Sequence, residues 1–205
     1  MDKIKLGVLV GGTSIEREVS KKSCENLLAN LDENKYDITV YHLPADGNTE
    51  WAKNIISNPP QIVLSALHGG NGENGSIQGF LHCLNIPYIG SKVLSSAICM
   101  NKAMAKTVMK ANHIQVPDHV FVMRGVYFSQ YEESIKLMGF PLIVKPNRGG
   151  SSIGVIVARN MEDIHYGIKN IMENYDDDVL IEKFIDGKEI NCCVLQGENG
   201  PEAMA

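Results

Sequence analysis

The chain has 205 residues, of which 44% are hydrophobic and 21% charged, a balance typical of a soluble protein that buries a core. Its formal charge of −5 excludes a global basic field that would attract nucleic acid or an anionic membrane. No apolar stretch is long enough for a membrane span or forms a signal-peptide core, and five cysteines without CxxC spacing favour free thiols in a reducing compartment, the cytoplasm.

Strand and helix signals alternate over the first part of the chain. Apolar runs predict strands and amphipathic stretches predict helices. In chain order they are a strand at Lys5–Val10, a helix at Ile15–Leu31, a strand at Tyr36–Leu43, a helix at Glu50–Ser57, a strand at Gln61–Leu67 and a helix at Ser76–Leu84. This alternation predicts an α/β domain with a parallel sheet covered on both faces and ligands at the loops after its strands.

The pattern changes after Ser91, where α+β signals begin. They are a long helix at Val93–Ala111, strands at Asp118–Met123, Leu142–Lys145, Ile153–Ala158 and Val179–Phe184, helices at Tyr131–Met138 and Met161–Tyr175, and a last strand at Glu189–Leu195. We therefore predict an N-terminal domain over residues 1–92, a central domain over 93–184 and the start of a third segment over 185–205.

The most informative segment is Lys145–Val155, in which a lysine ends an apolar strand and a Gly/Ser loop follows. Such a loop exposes backbone N–H groups and hydroxyls that can surround a phosphate. A lysine at the end of an apolar strand is costly to desolvate unless an anion compensates it. The alternative is a β-hairpin whose Gly149-Gly150 supplies the turn while Lys145 reaches solvent.

Three further segments each allow a functional and a structural interpretation. Glu182 and Glu189 flank an apolar strand edge and fit either adenine and ribose contacts or solvated charges. Glu16 follows a double-glycine turn and fits either a substrate ammonium site or a capping box with Thr13, which its spacing favours. His68 opens a loop with four glycines and fits either an ordinary loop histidine or an orienting group beside a carboxylate.

In this order the segments resemble the signatures of D-alanine–D-alanine ligases. They are Gly11–Ser20, His68–Gly79, Tyr88–Ser91, Lys145–Val155 and Glu182–Glu189. The resemblance implies an ATP-grasp fold, with a central ATP-grasp domain and the start of the C-terminal one. It also implies an ADP-forming ligase of peptidoglycan synthesis, in which ATP phosphorylates the carboxylate of one D-alanine and the amine of a second attacks the acyl phosphate.

Site residues carry over where the motifs match. By resemblance, Lys102 and Lys145 bind ATP phosphates, with the loop from Gly150 to Ser152 closing over them. Glu182, Lys183 and Ile185 contact adenine, the latter two through backbone, and Glu189 contacts the ribose. Glu16 holds the ammonium of the first D-alanine with His68 nearby, and Ser151 joins Glu16 in a hydrogen-bond network.

The resemblance also implies a homodimer and two Mg²⁺ ions, whose ligands it places after Ala205. We therefore expect the 205 residues alone to be inactive. Asn101 and Asn74 stand where aspartate is common in the family, and we expect them to tune geometry without loss of chemistry. The alternatives are a resistance-type ligase that uses D-lactate or D-serine, a truncated non-catalytic paralogue that binds nucleotide, and a dinucleotide-binding domain, which the absence of GxGxxG disfavours.

Overall fold

The computed structural model describes residues 2–204. Its first part contains β1 (Ile4–Gly11), α1 (Arg17–Asn30), β2 (Tyr36–Leu43), α2 (Glu50–Ser57), β3 (Ile62–Ser65), α3 (Gly70–Glu73), α4 (Ser76–Cys83), α5 (Val93–Met100) and α6 (Lys102–Ala111). There follow β4 (His119–Val122), a 3₁₀ turn (Phe128–Gln130), α7 (Glu132–Met138), β5 (Leu142–Pro146), β6 (Ile156–Ala158), α8 (Met161–Asn174), β7 (Val179–Lys183), β8 (Cys193–Gly197) and β9 (Gly200–Met204). Over residues 2–204, none of the helices combines the length and apolar character that crossing a bilayer requires.

The first sheet has the order β2-β1-β3, and both pairings are parallel, as predicted. Its central strand is buried from Leu6 to Gly11. One hydrophobic cluster contains Leu9, Val63 and Leu81, and a second contains Leu6, Val8 and Val10. Because side chains alternate along a strand, these clusters lie on opposite faces of the sheet. Because the strands run parallel, the loops after β1 and β3 meet at one edge of the sheet.

The second sheet has the order β4-β7-β5-β6 with antiparallel pairings. Leu142 and Val144 on β5 are fully buried in the core that α8 covers. Gly167 brings α8 close, because a Cβ there would come within 2.9 Å of Val144. Ile143 and Lys145 point to the other face, which carries the candidate site.

Three predictions about elements were wrong. The predicted helix Val93–Ala111 is two helices, broken at Asn101, which has extended backbone and caps α6 by accepting from the Met104 amide at 3.0 Å. The strand expected at Ile153–Ala158 begins only at Ile156. The strand expected at Glu189–Leu195 begins at Cys193, pairs with β9 and ends at Gly197.

The backbone at the starts of α1 and α4 is held by side chains of the glycine-rich loops. The N-cap of α1 is Glu16, and its side chain makes no capping hydrogen bond, so the capping box with Thr13 is absent. The Ser14 hydroxyl instead accepts from the Glu16 amide at 3.1 Å. Ser76 is the first residue of α4, and the Asn74 side chain accepts from its amide at 3.0 Å.

Candidate functional site

The loop between β5 and β6 spans residues 147–155 and forms one wall of a cleft. Ser151, Ser152 and Gly154 have φ of +50°, +58° and +75°, respectively. Successive left-handed residues turn the chain sharply, so the loop is longer and more contorted than a simple hairpin turn. The hairpin interpretation is right about the antiparallel pairing of β5 with β6, but Lys145 does not extend into solvent.

Two buried polar residues fix the start of this loop. Asn147 is fully buried; its side-chain oxygen accepts from the Ala103 amide at 2.9 Å and its carbonyl accepts from the Lys102 amide at 3.1 Å. Asp177 is 5% exposed and accepts from the amide and the Nε of Arg148 at 2.5 and 2.8 Å. Asn147 therefore ties the loop to the N-terminus of α6, and Asp177 ties it to the segment before β7.

Three lysines and one glutamate converge beside the loop. The Lys145 ammonium at the end of β5 pairs with Glu182 near the end of β7. Lys106 on α6 contacts the other carboxylate oxygen of Glu182 at 2.8 Å. Lys102, one helical turn before Lys106, donates to the Gly149 carbonyl in the loop. With one carboxylate among three ammonium groups, the cluster has an excess of two positive charges.

Burial and neighbouring charges shift the pKa values of two members of the cluster. Burial, and then repulsion from Lys145, lowers the pKa of Lys102. An anion close to Lys102 would therefore stabilise its charged form. Burial opposes ionisation of Glu182, yet the Lys106 and Lys145 ammonium groups outweigh it and hold the pKa of Glu182 below its usual value. Glu182 is thus an ionised hydrogen-bond acceptor inside the cleft.

The cleft beside the cluster has a volume of about 400 Å³. Its lining includes all nine residues for which nucleotide contacts were predicted: Lys102, Lys145, Gly150, Ser151, Ser152, Glu182, Lys183, Ile185 and Glu189. The Lys183 amide donates to the Asp118 carbonyl at 2.9 Å, so a backbone contact from Lys183 to a purine amino group would use its carbonyl. Ile185 and Glu189 are exposed at the mouth of the cleft.

Glu16 lies between two glycine-containing loops. A Cβ on Gly69 would collide with the Glu16 carboxylate and would come within 2.7 Å of the Ser14 hydroxyl, and one on Gly150 would come within 3.2 Å of Glu16. The Ser151 hydroxyl donates to the Glu16 carboxylate. The hydrogen bond predicted between these two residues is therefore present, and it joins the loop after β1 to the loop after β5.

His68 lies in the loop after β3, next to Gly69. Its Nε2 is 2.8 Å from the Ser23 hydroxyl on α1, and its Nδ1 is 3.9 Å from the Glu73 carboxylate on α3. His68 also lines a smaller cavity of about 140 Å³ that Gly11, Gly12 and Trp51 help to enclose. The ring is thus oriented by two side chains beside the Glu16 loop. The prediction that it helps to bind D-alanine stays a prediction.

Four residues of the site were not predicted from the sequence. They are Lys106, Asn147, Arg148 and Asp177. Lys106 follows Lys102 by four residues, so the helical repeat places both on one face of α6, and this signal was available. Asn147 and Arg148 lie inside the segment Lys145–Val155, but their hydrogen-bond partners are far away in sequence. Nothing local distinguishes Asp177 from its acidic neighbours.

Two family models match the chain. The model described as D-ala D-ala ligase N-terminus matches residues 49–91, and the model described as D-ala D-ala ligase C-terminus matches residues 108–205. The D-alanine--D-alanine ligase of Bacillus anthracis is 39% identical over 201 residues, which are 97% of this chain and 63% of that protein. The chain thus spans less than two thirds of the length of this curated relative.

Solved structures give the same result. A crystal structure of D-alanine--D-alanine ligase from Bacillus anthracis complexed with ATP is 36% identical, with a TM-score of 0.77 over 92% of this chain and 61% of that chain. A D-Ala:D-Ser ligase from Enterococcus faecalis is 28% identical, with a TM-score of 0.83 over 98% of this chain and 68% of that chain. The fold of most of this chain is therefore shared with these ligases.

Proposed function

Because the chain belongs to the D-alanine–D-alanine ligase family, with part of its ATP-grasp fold, we propose that it supplies the first D-alanine site and most of the ATP cradle of an ADP-forming ligase. The proposed reaction joins two D-alanines into D-alanyl-D-alanine for peptidoglycan precursors. The substrates and the activity of the whole protein are part of this proposal.

The chemistry requires activation of a carboxylate, which is a poor electrophile. An oxygen of the first D-alanine carboxylate attacks the γ-phosphorus of ATP, and ADP leaves with the electron pair of the broken P–O bond. The amine of the second D-alanine then attacks the carbonyl carbon of the acyl phosphate and loses a proton. The tetrahedral intermediate collapses with loss of inorganic phosphate. The protein contributes by placing the reactants together and by stabilising charge.

The hydrogen bond between Ser151 and Glu16 is the observation that best supports this proposal. It brings the loop that we assign to the phosphates next to the carboxylate that we assign to the D-alanine ammonium. A D-alanine held at Glu16 would place its own carboxylate toward the phosphate loop, since its two charged groups are separated by one carbon. His68 lies beside this position, oriented by Ser23 and Glu73.

The charged cluster supports the assignment of the nucleotide. Lys102 and Lys145 supply positive charge for phosphates, and Gly150 to Ser152 close over them. The ionised Glu182 suits the 6-amino group of adenine, a hydrogen-bond donor. Lys183 and Ile185 contact the base through backbone, and Glu189 the ribose hydroxyls; their positions along the cleft agree with an extended nucleotide.

The remaining features of the proposal follow the family. We propose an N-terminal domain over 1–92, a central domain over 93–184 and the start of the C-terminal domain over 185–205, in agreement with one sheet in each segment. We also propose a homodimer and a cytoplasmic location, which suits the five free cysteines. Mg²⁺ is expected with ATP, but residues 2–204 hold no group of three or more His, Cys, Asp or Glu side chains placed to bind a metal ion.

The first test is Lys145→Ala in the full-length protein, with steady-state kinetics in ATP and D-alanine. We expect a raised KM for ATP and a lower turnover, because a positive charge is lost from the phosphate site. Lys169→Ala is the matched control, since Lys169 is exposed on α8 and does not line the cleft. If Lys145→Ala had wild-type kinetics, Lys145 would not belong to the ATP site.

A further inference from the structure

Glu182 is held by cations from two different elements. Lys145 reaches one carboxylate oxygen from β5, and Lys106 reaches the other from α6 at 2.8 Å. The Lys106 and Glu182 side chains are only 12% and 10% exposed. Lys145 and Glu182 line the cleft, whereas Lys106 lies behind the carboxylate and is not part of the lining. Lys106 is thus placed to act on a bound nucleotide through Glu182.

The two lysines differ in the partners that their ammonium groups have. Lys145 faces the phosphate loop and has to serve both Glu182 and an anionic ligand. Lys106 does not line the cleft, and its ammonium contacts Glu182. A buried carboxylate that loses its counter-ion becomes costly to keep ionised, and it then takes up a proton. Lys106 is accordingly the partner that keeps Glu182 ionised while Lys145 engages phosphate.

The protonation state of Glu182 determines which base it can hydrogen-bond. An ionised carboxylate only accepts hydrogen bonds, and Oε1, which pairs with Lys145, retains a second lone pair. The 6-amino group of adenine donates, so it matches this acceptor. The 6-oxo group of hypoxanthine or guanine presents another acceptor and meets the carboxylate with repulsion. A protonated or reoriented Glu182 would lose this distinction.

We propose that Lys106 is a positioning residue that holds the Glu182 carboxylate ionised and directed into the cleft, and thereby sets the preference for ATP over 6-oxo nucleotides. This inference rests on the proposed function, in which Glu182 faces the base. It assigns to α6 a role in base selection that is separate from phosphate binding by Lys102 on the same helix.

The experiment measures kcat/KM for ATP and for ITP in the full-length protein and in three variants. Lys106→Met removes the charge and keeps the length of the side chain, and Lys106→Arg restores a charge. Lys110→Met is the matched control, because Lys110 lies one turn further along α6 and is exposed. We expect Lys106→Met to reduce the ATP/ITP ratio about tenfold, which corresponds to about 1.4 kcal/mol. We expect Lys106→Arg to recover most of the ratio, and Lys110→Met to match the wild type.

A Lys106→Met variant that unfolds is replaced by a test at the acid itself. Glu182→Gln offers both an acceptor and a donor, so it should reduce the ATP/ITP ratio. Adding Lys106→Met to Glu182→Gln should then change the ratio no further.

Two results would overturn the inference. In the first, Lys106→Met weakens ATP and ITP equally, so that Lys106 matters only for packing. In the second, the wild type uses ATP and ITP equally well, so that Glu182 does not read the base. Failure of the proposed function is recognised separately, because the wild type would then release no ADP in response to D-alanine with either nucleotide.

Discussion

Replacing Asp177 with asparagine tests how the loop over residues 147–155, which we propose binds phosphate, is fixed. The Asp177 carboxylate accepts three hydrogen bonds, from the amide and Nε of Arg148 at 2.5 and 2.8 Å and from the Asp178 amide at 2.8 Å. An asparagine side chain at this position would keep the shape of the aspartate but turn one oxygen into a donor. At least one N–H group would then face another N–H group, and the negative charge opposite Arg148 would be lost.

The size of the effect follows from burial. Asp177 is 5% exposed, so water cannot replace the lost acceptor at the Arg148 amide. The Arg148 side chain is 51% exposed, so its guanidinium can return to solvent at little cost. A hydrogen bond to a charged group contributes about 1.5–3 kcal/mol, and we expect Asp177→Asn to lower the free energy of unfolding by about 2 kcal/mol. For a protein of this size that corresponds to a fall in Tm of about 4–8 °C.

The assay is thermal unfolding together with ATP affinity by calorimetry. We expect ATP to bind roughly tenfold more weakly, because a loop with a loosened start must be ordered by the nucleotide at a cost of about 1.4 kcal/mol. Asp176→Asn is the control: its ion pair with Arg124 is on the surface, the Asp176 side chain is 88% exposed, and asparagine tolerates its φ of +50°. Equal Tm and equal ATP affinity in the two variants would refute the reasoning.

Two further predictions concern the acids of the site. Glu16→Gln should raise the KM for D-alanine at the first site at least tenfold, a loss of about 1.4 kcal/mol, with little change in ATP affinity; loss of thermal stability alone would leave Glu16 without a substrate role. Glu182 has a folded-state pKa below that of an unfolded glutamate, because Lys106 and Lys145 outweigh its burial. Its stabilising contribution is therefore present above the unfolded pKa of about 4.3 and is lost as the pH falls through the folded pKa. The difference in unfolding free energy between the wild type and Glu182→Gln, followed from neutral to acid pH, should shrink as the pH falls, and a constant difference would contradict the assignment.

Elements with a local signal could be predicted from the sequence. The bounds of β2 and α2 match the predicted ranges, because apolar residues there follow one clear period between turn residues. The break between α5 and α6 could not be read in this way, since the apolar pattern runs on through Asn101. There the Lys102 amide bonds to the carbonyl of Asn147, a residue that lies 45 positions away.

The candidate site shows the same division between local and distant causes. The spacing of Thr13 and Glu16 favours a capping box, yet the Glu16 carboxylate accepts from Ser151, 135 positions later. The predicted capping box is therefore replaced by a hydrogen bond between residues that only the fold brings together. By contrast, Asn199 and the glycines at 197 and 200 are local turn residues that could have predicted this hairpin, in which Gly197 pairs with Gly200.

The central claim is that the protein activates a D-alanine carboxylate with ATP before the second D-alanine attacks. The most direct measurement incubates the full-length protein with ATP and D-alanine carrying ¹⁸O in its carboxylate, and determines the products by mass spectrometry. We predict D-alanyl-D-alanine, ADP, and inorganic phosphate that carries one ¹⁸O from the carboxylate for each dipeptide formed. Dipeptide with unlabelled phosphate would contradict the acyl phosphate, and the absence of D-alanine-dependent ADP release would contradict the ligase activity itself.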